Sequence, residues 1–300
     1  MADDRRPAGY VVAANAAAGS SERAAIRSVA GRLAEVAPTE LAWTEGDEEF
    51  DAVVAGRDDR LLVLAGGDGT FHFALNRLAA TDQLEAPVGI VPAGTGNDFA
   101  RGIGVGADID EAVEIVLTGR PRWYAAIETS TGELAHNNAH FGLGLVAAER
   151  GTAWKPRLGR FAYPVGTAVE GLRYGGEPLG VAVDGEPVHD GPALAALVLL
   201  GPSMGGGIEL TDDIDVRDPL LDVVVVEPPR TRADRLAMAA DAIRGVLLDR
   251  EDVGRWSGRA VEITSSDGVR GDIDGEISDW GPRLELRVRP RTWQVVSPPR

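Results

Sequence analysis

"LLVLAGGDGTFHFALNRLAA", residues 61–80, runs an apolar stretch straight into Gly66-Gly67-Asp68-Gly69-Thr70 and on into a segment with helical spacing. Two explanations compete for glycines packed around an acid at a strand-to-helix junction. One is a tight turn. The other is an anionic ligand lying against bare backbone, because glycine lets a ligand approach the amides and a helix start presents unpaired N–H groups. Within this turn Thr70 either caps the helix or bonds a phosphate oxygen. The segment is not a GxxxxGK[ST] phosphate loop, since the lysine and the spacing are absent, and no G-x-G-x-x-G opens the helix.

Working outward, residues 61–66 are too apolar on both faces for a solvated edge strand. Upstream, "YVVAAN" (10–15) reads as a strand and Ile26, Val29, Leu33 and Val36 recur at helical spacing behind Ser20 or Ser21 as a cap. "TELAWTE" reads as a second strand and "EEFDAVVAGR" as a short helix. Downstream come the strand "APVGIVPAG" and the helix "DIDEAVEIVLTG". The pattern predicts an α/β fold: an open α/β layer whose ligand-ready loops lie at the carboxyl ends of its strands.

A second loop, "VPAGTGNDFAR" (91–101), again follows an apolar strand and gathers Gly94, Thr95, Asn97 and Asp98. Two such loops in a parallel sheet face one crevice. Asn97 either reads a base or sugar hydroxyl or caps a turn. Asp98 orients donors or water, and Arg101 is either a phosphate clamp or a solvated helix residue.

The texture changes near residue 122, where glycine-bearing turns replace the alternation. Asp184-Gly185 is a hairpin signal, and "ALAALVLLG" and "LLDVVVVEPP" are buried-strand candidates. Leu236, Ala240, Ile243 and Leu247 repeat at helical spacing, and "RAVEITS" and "RLELRVRP" alternate cleanly. The expected organisation is an α/β domain over 1–124 and a β-rich domain over 125–289, with 290–300 returning to the first.

Composition narrows the chemistry. The 300 residues are 44% apolar and contain no cysteine, which excludes disulfides, cysteine-ligated metals and cysteine nucleophiles. No stretch of eighteen apolar residues occurs, and "MADDRRPAGY" has no apolar core behind its charges, so a cytoplasmic protein is expected. The net charge of −17 repels phosphodiester backbones, and no nucleic-acid partner is expected. Lys155 is the one lysine among the 30 basic residues. The acidic surface suits a very salty cytoplasm, and the preference for arginine over lysine equally suits a GC-rich genome.

The pair "GGDGT" and "PAGTGNDFAR" at this spacing resembles the catalytic domain of the diacylglycerol/sphingosine lipid kinase family, in a superfamily shared with NAD kinases and 6-phosphofructokinases. The likeness extends over residues 10–297. "NAAAGS" (15–20) sits where that family has an Asn-Pro-x-(Ser/Ala)-Gly stretch near the nucleotide, which brings in Asn15. "GPSMGGGIEL" resembles its glycine-rich strand end, and "GDIDGEISDWGPRLELRVRP" its closing Asp-Gly-Glu segment.

The resemblance implies a nucleotide-binding first domain and a sandwich-like acceptor or lipid domain after it, with ATP as cofactor in the cleft, and roles in metal binding and proton removal for Asp68 and Glu276. Chemistry supports the same acids. Phosphoryl transfer needs alignment, neutralised charge and a proton acceptor. Magnesium is the natural neutraliser here, with Asp68 holding that ion or orienting the acceptor hydroxyl. Glu276 is either the general base, if it points into the cleft, or a solvated hairpin acid. For Asp274 a turn-forming role competes with catalysis.

The chain also departs from the family pattern. His72 and Phe73 replace a polar-acidic pair, and Gly201 replaces an asparagine. "FGLGLVAAE" lacks an expected aspartate, with Glu149 out of register. "RDPLLDVVVV" (217–226) has Arg217 and Pro219 where a structural-magnesium segment has an acid and a glycine, leaving Asp218 as the metal candidate. "WKPRLGRFAY" (154–163) is either an anionic head-group contact or a packed surface helix.

The functional expectation is an ATP- and Mg2+-dependent lipid kinase acting on the primary hydroxyl of a diacylglycerol-like glycerolipid, with transient contact at the inner face of the membrane. The alternatives are an NAD kinase or other soluble-acceptor kinase, and a non-catalytic nucleotide-binding regulator. The acceptor and the oligomeric state stay open at this point.

Overall fold

The computed structural model describes residues 7–143, 145, 174–204, 208–209, 214, 219–244 and 246–299. The chain divides into two compact units, Met1–Ala125 with Arg291–Arg300, and Ala126–Pro290.

In the first unit the strands are β1 (Tyr10–Asn15), β2 (Thr39–Thr44), β3 (Leu61–Gly66) and β4 (Val88–Pro92). The helices are α1 (Ser20–Ala34), α2 (Asp47–Ala55), α3 (Asp68–Ala80), α4 (Asp98–Gly102) and α5 (Ile109–Thr118). The sheet order is β2-β1-β3-β4, all parallel, and the end of the last strand, β18 (Arg283–Ser297), joins β4 in parallel at Val295. β3 is buried along its whole length, as its double-sided apolar run requires.

The chain steps from β1 out to β2, then crosses back to β3 on the other side of β1. Right-handed crossovers place helices on opposite faces when the direction of travel reverses. Accordingly, α1 packs with α5 and α2 packs with α3. The reversal creates a switch point between the carboxyl ends of β1 and β3, where open α/β sheets bind ligands.

Three local expectations are corrected. The residue preceding α1 is Gly19, with no side-chain cap, so neither Ser20 nor Ser21 caps the helix. α1 stops at Ala34, which leaves Val36 beyond the buried stripe and 55% exposed. α3 is preceded by Gly67, and Thr70 lies inside its first turn, so Thr70 does not cap it. α5 does carry a side-chain cap: Asp108 accepts the N–H groups of Asp110 at 2.8 Å and Glu111 at 3.0 Å.

In the second unit one antiparallel layer comprises β8 (Glu177–Val183), β9 (Glu186–Ala193), β15 (Ala260–Thr264) and the first part of β18. β5 (Arg120–Thr129), which enters from the first unit, and β6 (Leu134–Ala135) extend that layer. The other layer, also antiparallel, runs β14 (Val253–Gly258), β13 (Leu221–Val226), β10 (Ala195–Leu199), β7 (Asn138–Gly142), β16 (Val269–Ile273) and β17 (Glu276–Trp280). A short pair, β11 (Ser203–Met204) and β12 (Ile208–Glu209), stands apart.

The layers pack as a sandwich around Ile263, Leu284, Leu286, Phe141, Val198 and Ile273, all essentially inaccessible. Asp184-Gly185 forms the β8–β9 hairpin turn with both residues at positive φ. The outer face of the second layer packs Leu197, Leu199, Val224 and Val226 with Met238 of α6 (Arg232–Arg244). α6 therefore turns differently from the stripe expected of it, since Leu236 is 61% exposed and Ala240 is exposed while Met238 faces inward.

Candidate active site

The parallel register Ala13–Leu64–Ile90, continued by Gly66–Pro92, sets the ends of β1, β3 and β4 side by side. Their following loops, 15–20, 66–70 and 92–98, therefore share one edge of the sheet. The Ala93 N–H donates to the Gly66 carbonyl at 2.8 Å, which carries the pairing past the strands into the turns.

The turns then close on each other. A Cβ on Gly94 would lie 2.5 Å from the Gly67 Cα and 3.1 Å from the Gly67 nitrogen. Two backbones meet at a separation that only glycine permits. A Cβ on Gly66 would collide with the Thr70 side chain, whereas one on Gly69 would meet nothing within 4 Å. Gly69 is exposed, next to the start of α3, where N–H groups lack intrahelical acceptors.

Asp68 joins the loops by charge. Its Oδ2 accepts the N–H of Asp98 at 3.1 Å, and its Oδ1 accepts the N–H of Phe99 at 3.3 Å. Asn97 precedes α4, but its own side chain does not cap the helix, so the acid of the first loop caps the helix of the second. Asn97 sits at φ +58, a left-handed conformation that asparagine tolerates, and its Nδ2 donates to the Gly94 carbonyl at 2.9 Å. Its Oδ1 is buried with no hydrogen-bond partner. Such an orphan costs free energy unless a ligand or water satisfies it.

The remaining first-unit residues fall into place around this junction. Arg101 donates to Asp98 Oδ1 at 2.8 Å and to the Gly96 carbonyl at 2.9 Å, so it braces the loop and occupies Asp98. Phe99 stacks on Trp293 of β18, with ring centroids 5.2 Å apart, and anchors α4 from below. Thr95 is exposed. Asn15 is exposed at the end of β1, and its Oδ1 accepts the Ala17 N–H at 2.7 Å, shaping the 15–20 turn. Arg23 donates to the Ala16 and Ala18 carbonyls of the same turn and lies 4.5 Å from the Trp43 ring centroid. His72 is buried in α3, where the Asn76 amide contacts its Nε2 at 3.4 Å, and Phe73 packs edge-on against Phe50 at 5.3 Å. These two departures from the family pattern thus serve packing within the helix layer.

Glu276 opens β17 and is exposed. It follows the Asp274-Gly275 turn, whose residues take φ +50 and +98. Asp274 is buried, and its carboxylate accepts N–H groups from His136, Asn137 and Asn138. That set of contacts joins residues more than a hundred positions apart and has no local sequence signal. Gly201, at the family-asparagine position, packs so closely on Asn137 Oδ1 that a Cβ would collide with it. Arg217, Asp218, Glu149 and the 154–163 stretch lie outside the described residues.

Among the described residues no group of three His, Asp or Glu side chains could hold a metal. Magnesium does not require one, because it keeps several waters and takes one or two carboxylates plus substrate phosphates. A carboxylate in a turn at this edge of the sheet, as Asp68 is, suits that modest demand by its chemistry. A polyphosphate fits the turns through open space at Gly69 and the N–H groups of a helix start, while the orphaned Asn97 Oδ1 calls for a hydrogen-bond donor, which a nucleotide's sugar or base carries.

Comparison with known proteins finds relatives for both units. The family described as "Diacylglycerol kinase catalytic domain" matches residues 9–128, and "YegS C-terminal NAD kinase beta sandwich-like domain" matches residues 138–297. The chain is 29% identical over 245 residues to a diacylglycerol kinase of Bacillus subtilis, covering 79% of this chain and 78% of that one. It is 26% identical over 253 residues to a diacylglycerol kinase of Staphylococcus carnosus, covering 81% and 79%. A solved diacylglycerol kinase from Bacillus anthracis shares the fold with a TM-score of 0.73 at 19% identity over 98% of both chains. Yeast NADH kinase is a more distant match, with a TM-score of 0.53 at 14% identity over 97% of this chain and 83% of that one. With both halves matched, the chain belongs to the lipid-kinase family that joins a diacylglycerol kinase catalytic domain to a YegS-type β-sandwich.

Proposed function

We propose that this protein is an ATP- and magnesium-dependent lipid kinase that transfers the γ-phosphoryl group to the primary hydroxyl of a diacylglycerol-like glycerolipid. The observation that carries the reading is the junction of Gly66–Thr70 with Gly94–Asp98 through the Asp68 carboxylate. It brings two amide-rich turns together beside a switch point, which is what binding a polyphosphate demands. Family membership supports phosphoryl transfer, and the diacylglycerol kinases among the relatives support a glycerolipid acceptor.

Each residue has a separate task in this reading. Backbone amides around Gly67, Gly69 and Gly94 hold phosphate oxygens, and Asn97 Oδ1 accepts a donor from the nucleotide. Asp68 holds its loops in register and offers a carboxylate to magnesium. When bound, that ion neutralises phosphate charge. Glu276 accepts the proton of the attacking hydroxyl.

The test is phosphoryl transfer from labelled ATP at high salt, offered a total lipid extract, defined glycerolipids and NAD in separate reactions. A labelled phosphomonoester of a glycerolipid is the expected product. Labelled NADP would assign a soluble-acceptor kinase, and ATP binding without any labelled product would assign a regulator.

A further inference from the structure

We propose that Asp274 is a positioning residue for Glu276: its buried carboxylate ties the hairpin tip to residues 136–138 and so fixes where the Glu276 side chain starts. This rests on the reading of Glu276 as proton acceptor.

A two-residue turn with both residues at positive φ needs only asparagine, aspartate or glycine. Such a turn leaves its first side chain free to face solvent. Asp274 does the opposite. Its side chain is fully buried, with Oδ2 accepting the His136 N–H at 2.7 Å and Oδ1 accepting the N–H groups of Asn137 and Asn138 at 3.0 Å each. Its own N–H returns a bond to the Asn138 carbonyl at 3.1 Å. Three successive amides on one carboxylate form an anion nest. A buried charge is retained only where such compensation exists, and a turn alone does not call for one.

A second tie secures the other side of the tip. Asp272 Oδ1 accepts the Gly275 N–H at 2.7 Å and lies 3.4 Å from His140 Nε2, its cross-strand partner on β7. The 136–138 segment is itself anchored. The Asn137 carbonyl accepts the N–H groups of Leu200 at 2.8 Å and Gly201 at 3.1 Å, and its Nδ2 donates to the Ser203 carbonyl at 2.9 Å. Glu276 has no such anchor: among the described residues its side chain makes no hydrogen bond or ion pair. Its place is therefore set by the backbone of the tip, which Asp274 ties to residues 136–138 and Asp272 braces from the other side. A displacement of about 1 Å at a reacting group costs on the order of 100-fold in rate.

Asp274→Asn keeps the volume and the tolerance of positive φ, but turns one carboxylate oxygen into a donor facing an amide. The expected result is a kcat lower by about 10- to 100-fold with KM for ATP unchanged within about twofold. The acid limb of the pH–rate profile, absent in Glu276→Gln, persists in Asp274→Asn because the base itself remains. Amide hydrogen exchange supplies a readout independent of turnover. The His136 and Asn137 amides exchange slowly in the unaltered protein and quickly in Asp274→Asn. Full turnover in a folded Asp274→Asn overturns the proposal. So does fast exchange at His136 and Asn137 in the unaltered protein, a measurement that needs no variant to fold. A protein that transfers phosphate to no acceptor would instead defeat the kinase reading, while the exchange rates still decide whether the tie exists.

Discussion

The Asp68 carboxylate accepts the backbone N–H of Phe99 at 3.3 Å, thirty-one residues along the chain, and the adjacent N–H of Asp98 at 3.1 Å. One acid thus closes a turn and caps a helix that belongs to another turn. Asp68→Ala removes both bonds and leaves two helix-end amides without their acceptor. Charge-assisted bonds of this kind contribute about 1.5–3 kcal/mol each, partly recovered by water at an open site. The expected outcome is a lower melting temperature together with loss of detectable phosphoryl transfer, read by calorimetry and the labelled-ATP assay. Asp68→Asn retains one acceptor and falls between the two in stability.

Gly94→Ala tests the backbone contact. The added methyl would sit 2.5 Å from the Gly67 Cα, with no flexible side chain to give way. Overpacking of this sort costs about 1–3 kcal/mol, and here it also forces the two loops apart. ATP affinity is expected to fall by at least about tenfold, a loss of about 1.4 kcal/mol, by titration calorimetry. Gly69→Ala, whose methyl meets nothing, leaves stability within about 1 kcal/mol, so any loss of affinity there reports on ligand approach.

Glu276→Gln separates chemistry from folding. The residue is exposed and unpaired among the described residues, so the melting temperature stays within a degree or two, as surface substitutions do, at about ±0.5 kcal/mol. Turnover is expected to fall by about 100- to 10,000-fold if this carboxylate takes the proton. Unchanged turnover at saturating substrates would remove Glu276 from the chemistry.

Two carboxyls in the second unit give opposite dependence of stability on pH. Burial pushes Glu177 above the usual glutamate range, against smaller opposing effects of the Tyr174 hydrogen bond and the Arg270 charge. Its folded-state pKa is raised, so its contribution is present below the ordinary glutamate range and is lost as pH rises through the folded value. Asp252 is held below the usual range, chiefly by its hydrogen bond to Arg250. Its contribution is present above the ordinary aspartate range and lost as pH falls through the folded value. Melting curves from pH 3 to 8 should therefore show Glu177→Gln gaining on the unaltered protein as pH rises. The penalty of Asp252→Asn should shrink toward acid. The reverse trend in either series contradicts the assignment.

The sequence showed most of the first unit because continuous apolar runs and glycine punctuation leave few alternatives to buried parallel strands. β3, the turn at Gly66–Thr70 and α3 were legible as one unit, and so was the hairpin at Asp184-Gly185. Capping is less legible. Serines at 20 and 21 and the threonine at 70 satisfy the composition of a cap, yet glycine precedes each helix, and only coordinates distinguish a residue before the first turn from one inside it. The phase of α6 is not legible in sequence either, because "RLAMAADAIR" is rich in alanine and its weak apolar contrast lets Leu236 or Met238 claim the inner face. Phe99 illustrates a different limit. Its place in the second loop was visible, whereas its stacking partner Trp293 lies almost two hundred residues away. Asp274 is the clearest instance, since a local Asp-Gly signal described its turn and nothing nearby in the chain announced three amides from residues 136–138.

The most direct test of the central claim is a crystal structure of the protein with a non-hydrolysable ATP analogue and magnesium. The account predicts phosphate oxygens within hydrogen-bonding distance of amides in both Gly66–Thr70 and Gly94–Asp98, with Asn97 Oδ1 engaged. A nucleotide bound to only one of these turns, or away from both, would contradict it.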